Sequence, residues 1–539
     1  MGSLGVESWN HAPHVVVAPN ALSGHSIPFL QFARRLASEG VVTTIVATDR
    51  HVLELRSLLG ATDWTAQGVP LRILGLRDGK AELTHREWTE KMREREVELE
   101  VVRLMQELVV DVSSPMAQLL RGVEPAAAPV CVLHDMFVPW AQEVADRLGI
   151  EKHLLFVSNA SALSLALQST NPQFAEGLLP ISKENRDLII SDIPGLPPIP
   201  ALELPDPFLV AGLFDWMQIR HKKFRKADVI LVNTFYELEK PVLDALRNEV
   251  LGHPNMQAKC ILEIGPLLPE SYVNDDGNFD ITTNGSMEET DPCILWLNTR
   301  PPKSVLFVSF GSGATHPAPQ LLEMAFGLED SGCSFLWIVR PPGTPGMSAT
   351  SENPGSVTEF LPPGFEERIM DRGMCYSGWA PQMRILKHSA VGGFLSHCGW
   401  NSSLETVCAG VPILAWPKGA EQHLNRRYLV DTSKLAIELE ANPYTKEELE
   451  GDKVRPEPFY SREEIAKKVR NLMHEAEGQV VRKNIQRLRS AAREAGALGG
   501  SSRRNFEAYI RLLHNYGNCN GEGNGHSGGH TNGHSVLIK

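Results

Sequence analysis

Two features of secreted and membrane proteins are missing from this sequence. Its first residues, MGSLGVESWNHAPH, contain no basic stretch followed by an apolar one, so we expect no secretory signal. No apolar run approaches the roughly 18–20 residues that a membrane-spanning helix needs. The sequence therefore predicts a protein without an integral membrane segment.

Positive charge is also scarce. Lys and Arg number 52 against 65 Asp and Glu, which gives a formal net charge of −13 at pH 7. This balance argues against general binding to nucleic acid or to anionic membranes. The eight cysteines are scattered and form no CxxC pair, so they are most simply free thiols in a reducing compartment. We expect a cytoplasmic protein, and a monomer.

A third absence concerns the first strand-to-helix turn. An apolar strand over 14–18 is followed by PNALSGH, and not by the GxGxxG sequence of dinucleotide-binding folds. This argues against a nucleotide-dependent dehydrogenase, although strands and helices alternate along the chain as they do in such enzymes. A chain of 539 residues is too long for one core, so at least two α/β domains are expected.

The most informative stretch of the chain runs from Trp379 to Gln422. Trp379 stands at the end of a predicted strand, and a short helix begins at Pro381. An apolar strand over 391–395 then leads into the polar cluster SHCGWNSS. Polar residues thus crowd a turn at the carboxyl end of a predicted parallel strand, which is where open α/β sheets bind ligands.

The polar cluster is predicted to be a loop that opens a helix over 404–409, which Gly410 ends. Ser402 and Ser403 then lie at a helix N-terminus, where free backbone N–H groups and the helix dipole favour negative charge. The sequence therefore predicts a phosphate-binding turn.

This stretch resembles the signature box of plant UDP-dependent glycosyltransferases over its whole length. The resemblance implies the GT-B fold, which is α/β with two Rossmann-like doubly wound domains facing a cleft. It extends over most of the chain and is weakest over 175–224. The matching sequences are WAPQ at 379–382, GGF at 392–394, HCGWNS at 397–402, Glu405, GVP at 410–412 and EQ at 421–422.

Element alternation and the resemblance together predict the domain organisation. The proline-rich segment 172–207 is predicted to be a loop that helps to wall the acceptor pocket, and 441–458 is a surface insertion longer than the family norm. The predicted parts are an acceptor-binding domain at 12–265, a linker at 266–290, a UDP-sugar-binding domain at 291–495, a helix at 496–516 that packs back on the first domain, and a disordered Gly/Asn-rich tail at 517–539.

A sugar nucleotide presents a flat base, a ribose, two phosphates and a sugar. Trp379 is suited to stacking on uracil. The resemblance places Ala380 and Gln382 near the base and ribose, and Glu405 on the ribose hydroxyls, where a carboxylate accepts charge-assisted hydrogen bonds. It assigns the diphosphate to Ser312, His397 and Ser402 with helix-start amides, and the transferred sugar to Trp400, Asn401, Glu421 and Gln422.

No cofactor or metal is expected. UDP is a good leaving group, and the helix dipole with its hydrogen-bond donors can disperse the negative charge that develops on it. His526, His530 and His534 recur every four residues in the tail, but a Gly-rich chain offers no helix to align them as ligands.

The acceptor hydroxyl, by contrast, needs a base. His25 is predicted in the loop after the first strand and matches the catalytic histidine of the family, while Asp135 matches its partner carboxylate. A neutral imidazole can take the proton, and the carboxylate can orient it and stabilise the imidazolium. His134, adjacent to Asp135, is predicted to point the other way.

The reaction implied is inverting transfer of a sugar, most consistent with glucose because the box ends in Glu421-Gln422, to a hydroxyl of a small lipophilic acceptor such as a flavonoid. Two alternatives stay open at this point. One is a catalytically silent UDP-sugar-binding protein, and the other is C-glycosylation of a phenolic ring.

Overall fold

The computed structural model describes residues 12–59, 69–76, 129–274, 291–342, 357–451 and 453–521. The tail histidines predicted not to bind metal lie outside the described residues. Within this part of the chain, no helix is long and apolar enough to cross a membrane.

The first half of the chain alternates strands with helices. Its elements are β1 (His14–Ala18), α1 (Ser23–Ser38), β2 (Val42–Thr48), α2 (Asp49–Leu59), β3 (Leu71–Leu76), β4 (Pro129–Asp135), α3 (Trp140–Leu148), β5 (Glu151–Phe156), α4 (Ala160–Gln168), α5 (Pro172–Ala175), β6 (Ile189–Ile190), β7 (Ile199–Pro200), α6 (Ala211–Phe224), β8 (Val229–Val232), α7 (Tyr236–Ala245), β9 (Cys260–Glu263) and α8 (Glu270–Asn274).

Seven of these strands form a parallel sheet in the order β3-β2-β1-β4-β5-β8-β9. Every residue of β1, β4 and β8 is buried, as expected for strands with helices on both faces of the sheet. The strand order reverses between β1 and β4. Such a reversal leaves a crevice at the carboxyl ends of the two strands.

The second half repeats this plan. Its elements are α9 (Pro292–Asn298), β10 (Val305–Ser309), α10 (Ala318–Ser331), β11 (Ser334–Ile338), α11 (Phe365–Ile369), β12 (Gly373–Tyr376), α12 (Gln382–Lys387), β13 (Val391–Ser396), α13 (Trp400–Ala409), β14 (Ile413–Ala415), α14 (Gln422–Arg427), β15 (Ala436–Glu438), α15 (Lys446–Glu450), α16 (Arg462–His474), α17 (Ala476–Gly496) and α18 (Ser501–Gly521).

The second sheet has six parallel strands in the order β12-β11-β10-β13-β14-β15, and its order reverses between β10 and β13. Two doubly wound parallel sheets confirm the predicted α/β fold class. Helix α18 packs on the first sheet, where Phe506 and Tyr509 join its core and Tyr509 Oη lies 2.8 Å from His153 Nδ1.

Two predicted loops are partly helical. His25 was predicted to lie in a loop. Helix α1 begins at Ser23, however, so His25 lies in the first turn of that helix. Helix α13 begins at Trp400, so the second half of the polar cluster is helical as well. Ser403 Oγ donates to the carbonyl of Gly399 at 3.0 Å, and this bond to the helix backbone lets a polar residue stay within the first turn.

Two further segments differ from their predictions. The predicted linker contains the short helix α8, in which Tyr272 and Val273 are buried. Helix α18 continues to Gly521 and so includes the first residues of the segment predicted to be disordered.

The two domains share one apolar cluster, in which Phe235 of the first domain and Leu404 of the second are members. Polar contacts accompany it. Asn159 Nδ2 donates to Asn425 Oδ1 at 2.6 Å, and Trp400 Nε1 donates to the carbonyl of Asn233 at 2.7 Å. The cleft between the sheets is therefore bounded by a packed interface.

Candidate active site

The crevice of the first sheet holds the predicted catalytic pair. His25 follows β1 and Asp135 ends the neighbouring strand β4, so strand pairing brings together residues 110 positions apart. His25 Nδ1 lies 2.7 Å from Asp135 Oδ2, and Asp135 Oδ1 accepts from the backbone N–H of Phe137 at 2.8 Å. Both carboxylate oxygens are thus engaged, and the bond to His25 leaves its Nε2 as the nitrogen that can accept a proton.

Burial alone would lower the pKa of His25. The charge of Asp135, its hydrogen bond and the charge of Glu421 outweigh this effect and raise the pKa above the ordinary value of 6.5. Glu421 belongs to the second domain, so charges from both domains act on His25.

An aromatic wall continues from His25. The ring of Phe137 lies 4.8 Å from the imidazole, and Trp216 of α6 lies 5.6 Å from Phe137. His134 takes no part in it, because its Nδ1 donates to the carbonyl of Asp135 at 2.9 Å and Gln142 donates to its Nε2 at 3.1 Å. The side chains of His134 and His25 therefore make different hydrogen bonds, in agreement with the prediction that they point in different directions.

The crevice of the second sheet is built from the turns after β10, β11 and β13. Ser312 lies in the turn after β10, and its carbonyl accepts a hydrogen bond from Arg340, which follows β11. Arg340 was not identified from the sequence. It supplies a positive charge beside the turn predicted to bind diphosphate.

His397 follows β13 and lies against two glycines. A Cβ atom at Gly311 would come within 2.7 Å of His397 Nε2, and one at Gly399 within 2.5 Å, so a larger residue at either position would displace the ring. Burial, with a smaller effect of Arg340, lowers the pKa of His397 to about 4, which keeps the ring neutral at pH 7. Its Nδ1 is buried and has no hydrogen-bond partner among the described residues. Because buried polar atoms are usually paired, this nitrogen is a candidate for a hydrogen bond to a ligand.

The residues predicted to bind the base and the ribose begin after β12. Trp379 is 42% exposed, which is unusual for a large apolar ring and leaves a face open for a base. Ala380 lies beside it, and its carbonyl accepts from the N–H of Gln382 at 2.8 Å. The Gln382 side chain donates to Ser402 Oγ at 2.9 Å and to Glu405 Oε2 at 2.7 Å. The structure therefore brings these predicted residues into one connected group.

The turn after β14 carries the predicted sugar contacts Glu421 and Gln422. Glu421 Oε1 accepts from Ser158 Oγ at 3.3 Å, across the cleft. The side-chain carbonyl of Gln422 accepts from the N–H groups of Lys418 and Gly419 at 2.9 and 3.1 Å. Because that oxygen is occupied by the turn, the amide NH₂ of Gln422 is the end left for a sugar.

Two predicted sugar contacts have other roles in this structure. The indole of Trp400 is 3% exposed and donates to Asn233, so its side chain is committed to the domain interface. Asn401 Nδ2 donates to the carbonyl of Gly24 at 2.7 Å. Pro28, four residues after Gly24 in helix α1, has no N–H to donate to that carbonyl, and Asn401 takes its place. The turn predicted to bind phosphate is thus tied to the helix that carries His25.

Among the described residues, no group of three or more His, Cys, Asp or Glu side chains is arranged to hold a metal ion.

Two doubly wound domains, one with a histidine–carboxylate pair at its crevice and the other with a turn suited to a nucleotide diphosphate, define a GT-B glycosyltransferase. The family model for UDP-glucoronosyl and UDP-glucosyl transferases matches residues 269–465. A relative that is 30% identical over 93% of this chain shows that the chain belongs to the plant UDP-glycosyltransferase family. It is a UDP-glycosyltransferase.

Individual relatives cover nearly the whole chain. The anthocyanin 3'-O-beta-glucosyltransferase of Gentiana triflora is 30% identical over 513 residues, which are 93% of this chain and 98% of that protein. The structure of Phytolacca americana UGT2 with UDP-2fluoro-glucose and pterostilbene has a TM-score of 0.71 and 28% identity, and the match covers 93% of this chain and 100% of that one. A Medicago truncatula relative solved with UDP-glucose has a TM-score of 0.72 and 27% identity, with 94% and 100% covered.

Proposed function

We propose that this protein transfers glucose from UDP-glucose to a hydroxyl of a small lipophilic acceptor, such as a flavonoid or another phenolic, with inversion at the anomeric carbon. The observation that carries this proposal is the 2.7 Å contact between His25 and Asp135 at the edge of the cleft that faces the Glu421 turn.

In the proposed mechanism, His25 Nε2 takes the proton of the acceptor hydroxyl as the oxygen forms its bond to the anomeric carbon. The bond between that carbon and UDP breaks, and UDP leaves with the electron pair. Asp135 stabilises the imidazolium that forms. Attack from the face opposite UDP turns an α-linked donor into a β-glycoside.

The departing UDP carries its new negative charge on the diphosphate. The first-turn N–H groups of α13 have no partner within the helix, and they lie at the positive end of its dipole. Arg340 adds a positive charge beside the Ser312 turn. His397 is neutral at pH 7 and therefore contributes as a hydrogen-bonding group.

The aromatic wall of Phe137 and Trp216 beside His25 supports a flat, apolar acceptor. The named substrate of the Gentiana relative is an anthocyanin, and the Phytolacca relative was solved with pterostilbene. We therefore propose a phenolic acceptor.

A screen of phenolic acceptors with UDP-glucose, read by mass spectrometry, tests the proposed function. We expect a product heavier than its acceptor by one hexose, released together with UDP. Binding of UDP-glucose without product from any acceptor would instead support a silent binding protein, and an acid-stable product would support C-glycosylation.

We expect UDP-glucose to be preferred over UDP-galactose, UDP-xylose and UDP-glucuronate in competition for one acceptor. A sugar with one misplaced hydroxyl leaves a buried polar group unpaired, which costs about 1–3 kcal/mol, or roughly 5–150-fold in rate. A product mixture led by another glycoside would contradict this donor assignment.

Gln422→Glu separates the two tasks of this residue. A carboxylate still accepts from Lys418 and Gly419 and keeps the turn, but it cannot donate to a sugar hydroxyl. We expect the preference for glucose over galactose to shrink while UDP affinity stays unchanged. Gln422→His, which replaces the carbonyl oxygen that accepts both N–H groups with a ring that has a single acceptor nitrogen, is the comparison. An unchanged donor ratio in both variants would place sugar selectivity elsewhere.

Nucleoside affinity is expected to rise with pH through about 7. Burial raises the pKa of Glu405 to about 7, against a hydrogen bond from Gln382 that lowers it. Two ribose hydroxyls need the ionised carboxylate as acceptor, so below that pKa binding must first remove a proton. The affinity should fall by up to about tenfold for each pH unit below 7.

Calorimetry with uridine measures this effect, because the phosphates of UDP would titrate near pH 6 themselves. Glu405→Gln should bind uridine more weakly and without pH dependence. A wild-type affinity that does not change between pH 5.5 and 8 would show that Glu405 does not exchange a proton on binding.

A further inference from the structure

The turn that carries the proposed sugar contacts, Lys418 to Gln422, has a strained centre. Ala420 has a φ of 51°, a left-handed conformation that residues with a Cβ atom seldom adopt. Such a conformation persists when surrounding contacts hold it. In this protein the contacts on Ala420 come from the other domain.

Asp206 holds Ala420 at both of its backbone polar groups. Asp206 Oδ2 accepts from the N–H of Ala420 at 2.7 Å, and the N–H of Asp206 donates to the carbonyl of Ala420 at 3.1 Å. The neighbouring Gly419 permits this approach, because a Cβ atom there would lie 2.8 Å from Asp206 Oδ2. A residue of the proline-rich segment of the first domain thus sets the backbone of the turn in the second.

Arg455, in the insertion over 441–458, completes this arrangement. Its guanidinium pairs with Asp206 Oδ1 and donates to the carbonyls of Leu202 and Leu204 at 2.8 and 3.1 Å. Its side chain is largely buried. The same insertion contributes Glu457, which lies 2.6 Å from the Nζ of Lys418 at the start of the turn.

We propose that Asp206 and Arg455 are donor-positioning residues, which hold Ala420 in its left-handed conformation and thereby orient Glu421 and Gln422 toward the transferred sugar. This inference rests on the proposed function, in which those two residues contact the sugar. Asp206 and Arg455 act through the turn and need not touch the substrate.

The geometry distinguishes a role in positioning the sugar contacts from a role in holding the whole donor site together. Trp379, Gln382 and Glu405 lie after β12 or on α13, and none of them contacts the clamp formed by Asp206 and Arg455. Loss of the contacts made by Asp206 and Arg455 should therefore weaken the contacts to the transferred sugar and leave the affinity for the nucleotide unchanged.

The test is Arg455→Met, which keeps the aliphatic stem of the side chain and removes its donors. The affinity for UDP is measured by calorimetry, and kcat and KM are measured with UDP-glucose and with UDP-galactose on one acceptor. We expect UDP affinity within about twofold of wild type, a fall in kcat/KM for UDP-glucose of about tenfold, and a smaller ratio between the two donors.

Arg368→Met is the matched control. Arg368 also pairs with a carboxylate, that of Glu329, and donates to a backbone carbonyl, that of Pro363, but it precedes β12 and so lies at the opposite edge of the sheet. It should leave the donor ratio unchanged. Arg455→Lys, which keeps the charge but not the fork of donors, should recover part of the loss.

Asp206→Asn carries the test if Arg455→Met does not fold. The amide must turn its NH₂ toward either Arg455 or the N–H of Ala420, so that two hydrogen-bond donors face each other at one of these contacts. We expect the ratio of kcat/KM between UDP-glucose and UDP-galactose to decrease as it does in Arg455→Met. The proposed function is judged first, by whether wild type uses UDP-glucose and prefers it. If it does, and a folded clamp variant keeps both kcat/KM and the donor ratio, the clamp inference is wrong. Equal losses for both donors accompanied by loss of UDP affinity would also overturn it.

Discussion

Replacement of His25 by alanine is expected to lower turnover about 10²–10⁴-fold, the usual contribution of a general base, which corresponds to roughly 3–5 kcal/mol in the barrier. The affinity for UDP should stay nearly unchanged, because His25 lies on the first domain and the predicted nucleotide contacts lie on the second. Steady-state kinetics with an acceptor of ordinary hydroxyl pKa and calorimetry with UDP measure the two quantities.

The pH dependence gives a second readout. The pKa of His25 is raised above 6.5, so wild-type kcat/KM should decrease as pH falls through that raised pKa, where the base becomes protonated. The alanine variant should lack this acid limb. His253→Ala, at an exposed histidine in the same domain, is the control. A near-wild-type rate for His25→Ala would mean that the base is another group, unless the acceptor is a phenol acidic enough to ionise unaided.

Asp135→Asn is expected to reduce turnover by about 10²–10⁴-fold, and not by more than His25→Ala. The asparagine can still accept from the N–H of Phe137, so its NH₂ must face His25 Nδ1. Nδ1 then has to be the acceptor, the ring proton moves to Nε2, and Nε2 can no longer take the proton of the acceptor hydroxyl. The fold and the position of the ring are preserved while the tautomer is wrong.

The measurement combines kinetics with ¹⁵N spectra of histidine, in which the two tautomers differ. Asp146→Asn, at a surface carboxylate paired with Lys152, should change neither. If Asp135→Asn keeps its activity, the carboxylate only supports the turn before α3, and His25 acts without it.

Much of the fold could be read from the sequence because buried parallel strands are continuous apolar runs. The strand at His14–Ala18 was predicted with the bounds that the structure has, and the strand at Val391–Ser396 was predicted one residue shorter. The starts of α1 and α13 were missed because their first turns contain polar residues that usually favour loops. In α13 the hydroxyl of Ser403 bonds back to the helix backbone, which the local sequence does not reveal.

Residues of the candidate site could be predicted where they lie at or just after the end of a strand. They were harder to predict where the direction of the side chain depends on a partner that is distant in the chain. Asp135 ends its strand, and His25 lies in the first helical turn after its strand. The indole of Trp400 is directed by Asn233, 167 residues earlier, and Asn401 by the carbonyl that Pro28 leaves free. Arg340 lies shortly after a strand, as Trp379 does. Its local sequence does not distinguish it from a surface arginine, and only its contact with the carbonyl of Ser312 does so.

The polar contacts across the domain interface bear on how chimaeric enzymes could be assembled from relatives. Trp400 donates to the backbone carbonyl of Asn233, which any residue at that position would offer, whereas the carbonyl of Gly24 is free for Asn401 because Pro28 lacks an N–H. The pair Asn159–Asn425, in contrast, joins two side chains. An acceptor-binding half transplanted from another glycosyltransferase would thus meet the Trp400 contact without redesign and the Asn401 contact if it carries proline at position 28, and residues 159 and 425 would have to be transferred as a matched set.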